Sequence, residues 1–147
     1  MKLSEHFDLN EFTRSATADR LHIDNTIPEE LIPNLKNLCV QVLEPLREHF
    51  GTPVVISSGY RCPKLNGIVG GARNSQHMKG EAADLHIPSI KAPDGSIVQD
   101  MATARSWIEF IMSETCFDQL ILEHSRSGTC WIHVSYSRTH NRQRVIL

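Results

Sequence analysis

Between Pro28 and Phe50, apolar side chains recur every three or four residues: Leu31, Leu35, Leu38, Cys39, Val42, Leu43, Leu46 and Phe50. That step matches the turn of a helix with one buried face. Thr26 or Asn25 can cap its start, Pro28, Glu29 and Glu30 suit a first turn, and Gly51 suits its end. Pro33 and Pro45 fall inside the stripe, so a shifted start or a kink is expected. A second stripe, Met101, Ala104, Trp107, Ile108, Ile111 and Met112, predicts a helix over 101–116.

Other segments carry the short, alternating or β-branched pattern of strands. Thr52–Ser57 reads as a buried strand. Glu81–Ile87 alternates, with Ala83, Leu85 and Ile87 on one face and Ala82, Asp84 and His86 on the other. Asp118–Glu123 and Cys130–Ser135 flank a Gly- and Ser-containing stretch, His124–Thr129, which predicts an antiparallel hairpin. Arg142–Leu147 is expected as an edge strand. One short helix is expected near Asn10–Arg14, one helical turn near Pro63–Val69 inside the glycine-rich stretch from Ser58 to Gly80, and a turn at Pro93-Asp94-Gly95. This order predicts an α+β fold over residues 1–147: a small, mostly antiparallel sheet with helices packed on one face.

Composition narrows the partners. Fifteen basic against seventeen acidic residues leave a net charge of −2. Such a balance offers no field for nucleic acid or an anionic membrane. No 18-residue apolar run is present, so no bilayer span is expected. The first residues, MKLSEHFDLNEF, hold no apolar core, so no secretory signal is expected. A monomer is expected, cytoplasmic or released by means other than a signal peptide. Cys39, Cys62, Cys116 and Cys130 form no C-x-x-C pair and are read as reduced thiols. Eight histidines turn attention to a metal held by imidazole and carboxylate.

The segment Ser75-Gln76-His77-Met78-Lys79-Gly80-Glu81-Ala82-Ala83-Asp84 supplies a candidate site. His77 ends the loop, Gly80 permits a tight turn, and Asp84 lies on the following strand, where a carboxylate is costly unless paired or metal-bound. His133 sits centrally in its strand. Two His and one Asp leave one position of a tetrahedral zinc open, the catalytic pattern. His86 shares Asp84's strand face and is read as a supporting or packing residue. His6, His22, His49 and His140 are read as solvated.

Ser75-x-His77-x-x-Gly80-x-Ala82-x-Asp84, followed by Trp131-x-His133 and preceded by Ser58-Gly59-Tyr60-Arg61, resembles the zinc D-alanyl-D-alanine carboxypeptidases, peptidoglycan-cleaving metallopeptidases that include compact phage-type members. The likeness runs from the Pro28 helix through Ser135. It implies a hedgehog/D-Ala-D-Ala peptidase-like fold, zinc held by His77, Asp84 and His133, and Arg61 receiving a substrate carboxylate or carbonyl, for which its planar fork is suited. Ser75 and Gln76 would hydrogen-bond the substrate backbone. Arg61 is weighed against a surface ion pair, and Ser75 against a residue that only closes the loop. Many relatives carry a glutamate three residues before the last ligand; Cys130 stands there instead. Glu123 is therefore the expected general base, with His124 and Asp118 behind it. A hairpin centred on Ser127 sets Glu123 opposite Trp131 and on the same face as His133. The implied activity is hydrolysis of peptidoglycan stem peptides, by a carboxypeptidase or an endopeptidase. The alternative is a zinc-containing binding module without catalysis.

Overall fold

The computed structural model describes residues 1–147. Two short helices open the chain, α1 (Leu9–Thr13) and α2 (Ala16–Arg20). Asp8 and Glu11 form a reciprocal capping box at α1, and Ser15 caps α2. The Pro28–Phe50 stripe forms one helical run in pieces: a 3-10 turn (Glu29–Leu31), α3 (Ile32–Leu38), a π turn (Cys39–Leu43) and α4 (Glu44–Phe50). Pro33 falls in the first turn of α3, where its missing N–H costs nothing. Pro45 is absorbed by the π turn, in which the Glu44 N–H reaches back to the Cys39 carbonyl. Gly51 closes the run in the left-handed region.

The chain continues through β1 (Ile56–Ser58), α5 (Pro63–Ile68), a 3-10 turn (Gln76–Lys79), β2 (Ala82–His86), β3 (Ser89–Lys91) and β4 (Ile97–Gln99). It ends with α6 (Met101–Glu114), β5 (Gln119–His124), β6 (Cys130–Ser135) and β7 (Arg144–Ile146). Five strands form one sheet in the order β1-β2-β6-β5-β7. All its pairs are antiparallel except β5–β7. The α+β expectation therefore holds, and the C-terminal edge strand is present, in parallel pairing.

One apolar cluster joins the helices to one sheet face. Leu35, Leu38, Val42, Leu43 and Leu46 meet Leu85, Ile132 and Val134, while Trp107, Ile108 and Ile111 of α6 close the same layer. Met112, read as part of the α6 stripe, lies exposed. The strand expected at Thr52–Ser57 is shorter and later. Ile56 pairs with Leu85, which brings Pro53 level with Pro88. Neither proline can donate to the ladder, so pairing stops there. At its other end β1 bulges between Ile56 and Ser58, beside Asp84. The segment read only as a turn at Pro93-Asp94-Gly95 is a two-stranded hairpin, β3–β4, with that turn at its tip.

Candidate metal centre

The sheet face away from the helices carries the chemistry. Asp84 of β2 and His133 of β6 are cross-strand partners, and side chains so paired meet on one face. His133 Nδ1 lies 3.0 Å from Asp84 Oδ1. His77 approaches from the 3-10 turn, its Nε2 3.2 Å from the same oxygen. All three residues are buried. Gly80 reverses the chain between His77 and Asp84 at φ 69°, a conformation natural to glycine.

Backbone interactions hold His77 from two sides. Its Nδ1 lies 2.6 Å from the Gly59 carbonyl, and its own carbonyl accepts the Arg61 N–H at 3.1 Å. With Nδ1–H donated to Gly59, Nε2 is the ring nitrogen that faces Asp84, the arrangement that orients a metal-binding imidazole. Gly59 is needed for proximity: a Cβ there would stand 2.6 Å from Phe12 Cα and O. Buried Asn25 fixes the same loop, donating to the Thr13 and Tyr60 carbonyls and accepting the Cys62 N–H.

The three ligand atoms lie within 4.8 Å of one another. A tetrahedral zinc with bonds near 2.05 Å sets its ligand atoms about 3.3 Å apart, close to the 3.0 and 3.2 Å seen here. Burial pushes the Asp84 carboxyl up, but hydrogen bonds with His133 and His77 outweigh it and hold the group well below the usual carboxylate range. An anionic oxygen and two imidazole nitrogens converging in a buried spot fit a divalent cation of zinc's type.

A cleft of about 620 Å3 opens over this set. Glu123 faces Trp131 and Ile121 faces His133, the register anticipated from a hairpin centred on Ser127. Glu123 Oε1 stands 3.7 Å from His133 Nδ1, with its side chain 38% exposed. Arg61 is held on the other side: Nε donates to Ser58 Oγ, Nη1 to Asn66 Oδ1, and Nη2 lies 3.5 Å from Asp84 Oδ2. It is thus a partly buried arginine bound to the centre. Ser75 Oγ accepts the His77 N–H, so it closes the loop while lining the cleft. Gln76 also lines it, with Nε2 3.4 Å from Glu81 Oε1 and its own Oε1 buried without a partner.

Several other readings change. His86 is exposed and takes no part in the cleft. His124 is exposed at the strand end. Asp118 is buried and paired with Arg142, whose hydrogen bonds hold the Asp118 carboxyl below its usual range. His6 bonds buried Glu44 and His49 stacks on Phe110, so neither is simply solvated. Sequence reasoning overlooked Asn66, which braces Arg61 and donates to the Ala72 carbonyl. Nothing in its spacing announces that role. It also overlooked Arg142, one of three arginines in the tail and the one that lines the cleft.

A buried His-Asp-His set with a carboxylate and an arginine over an open cleft is the architecture of a metal-dependent hydrolase. The profile of the peptidase M15 family matches residues 5–135, and the chain belongs to that family. Over 44 residues, 29% of the chain, it is 46% identical to the zinc D-Ala-D-Ala carboxypeptidase of Streptomyces albus G, a match spanning 17% of that relative's length.

Proposed function

We propose that this protein is a zinc-dependent peptidase acting on peptidoglycan stem peptides, as a D-alanyl-D-alanine carboxypeptidase. The observation that carries the reading is the convergence of His77, Asp84 and His133 at one buried point, with Glu123 and Arg61 on either side. Zinc, when bound, supplies Lewis acidity and brings the pKa of a water toward 7. His77, Asp84 and His133 hold the ion, and Gly59 fixes the tautomer of His77. Glu123, half-exposed beside His133, accepts the proton of the attacking water and returns it to the leaving amine. Arg61 still has free N–H groups after its bonds to Ser58, Asn66 and Asp84. These receive the C-terminal carboxylate and align the scissile carbonyl.

An endopeptidase differs in needing room for peptide beyond Arg61, and Val69, Gly70, Gly71 and Ala72 also line the cleft. Assays with D-Ala-D-Ala-ended peptides and with purified sacculi separate the two. Glu123→Gln should lower kcat by about 10²–10⁴-fold while keeping one metal per chain, and His77→Ala should lose both metal and turnover. Zinc bound at one equivalent with no product from either substrate would refute the peptidase reading and favour a binding module.

A further inference from the structure

We propose that Arg142 is a second anion-binding position in the cleft and selects peptides carrying a free carboxylate two or three residues upstream of the scissile bond. This rests on the peptidase reading above.

The placement follows from sheet order. Arg61 emerges just after β1 and contacts Asp84 of β2, whereas Arg142 precedes β7 and contacts Asp118, just before β5. Asp84 and His133 of the metal set, on β2 and β6, therefore lie between the strands next to the two arginines. Ile121 is level with His133 and Asp118 lies three residues before it, roughly 10 Å along the strand. That is the length of about three extended peptide residues. A substrate whose C-terminal carboxylate meets Arg61 thus brings the residues upstream of the cut toward Arg142.

Arg142 is built to meet an anion. Its Nε and Nη2 each donate to Asp118 at 2.9 Å, and its backbone N–H donates to Asp118 Oδ1 at 2.9 Å. Asp118 is itself buried and anchored, its N–H bonded to the Ser135 carbonyl. This clamp fixes the guanidinium while Nη1 donates to no protein group, and the side chain is 45% exposed in the cleft. A guanidinium pre-oriented in this way loses little freedom on binding. Arg142 also lies beyond residues 5–135, the stretch matched by the family profile.

The test uses the zinc-loaded full chain and pairs of D-Ala-D-Ala-ended peptides that differ only in a carboxylate or a carboxamide at the upstream position. Wild type should prefer the carboxylate member by about tenfold in kcat/KM. Arg142→Gln should bring that ratio near one, and Arg142→Lys should restore part of the preference. No preference in wild type, an unchanged ratio in Arg142→Gln, or an equal loss on both peptides overturns the proposal. If wild type cuts neither peptide, the carboxypeptidase reading fails alone. Calorimetric Kd values for the same pair then decide this one, a carboxylate preference supporting it and equal affinities overturning it.

Discussion

Gly59→Ala tests how the N-terminal helix, the loop and the metal centre are coupled. The new Cβ would stand 2.6 Å from Phe12 Cα and O and 2.8 Å from Phe12 Cβ, where carbon contacts settle at about 3.5–4.0 Å. Relief requires a movement of about 1 Å. The Tyr60 N–H is bonded to the Phe12 carbonyl at 2.7 Å, so loop and helix cannot separate without losing that bond. If the loop yields, the 2.6 Å contact between Gly59 O and His77 Nδ1 stretches to about 3.6 Å, beyond a hydrogen bond. Overpacking of this kind costs about 1–3 kcal/mol, or roughly 3–10 °C in Tm for a chain of this size. Loss of the bond that orients a ligand costs about 10–100-fold in metal affinity. Thermal melts of the metal-free protein read the first effect, and zinc competition against a chromophoric chelator reads the second. A variant that melts lower but binds zinc as tightly as wild type would show that α1 moves instead, and would refute the coupling.

Two further outcomes follow from buried groups. Burial pushes Glu44 up, but hydrogen bonds from Ser4 and His6 prevail and its pKa lies below the ordinary 4.5. A lowered folded value contributes stability above the unfolded pKa and loses it as pH falls through the folded one. Glu44→Gln should therefore cost about 1.5–3 kcal/mol at pH 7, and the gap to wild type should close below about pH 4.5; a gap independent of pH in chemical denaturation would contradict this. Burial also pushes the Cys39 thiol up to about 12, so an alkylating reagent at pH 8 should label exposed Cys116 and leave Cys39 untouched until the chain unfolds. Peptide mapping of the labelled protein checks it, and rapid native labelling at Cys39 would contradict its burial.

Local pattern alone determined a good part of this molecule. The three- and four-residue steps from Leu31 to Phe50 specify a helix with one buried face, because helical periodicity is a property of neighbouring residues. The alternation in Glu81–Ile87 and the equal arms around Ser127 likewise set which side chains share a face, so that Asp84 could be placed on the face opposite Leu85, and Glu123 beside His133. The spacing from Ser75 to Asp84 carried the metal chemistry, since one tight turn joins its two ligands. Only the tertiary structure decided the rest. The start of β1 depends on Pro53 falling level with Pro88, thirty-five residues away, and its end on the bulge beside Asp84. The tautomer of His77 depends on the Gly59 carbonyl, and the orientation of Arg61 on Asn66. Arg142 reaches the cleft because the tail adds a parallel strand beside β5. These are contacts between segments whose own sequences carry no trace of the partner, and burial and hydrogen bonding settle them only when the whole chain is packed.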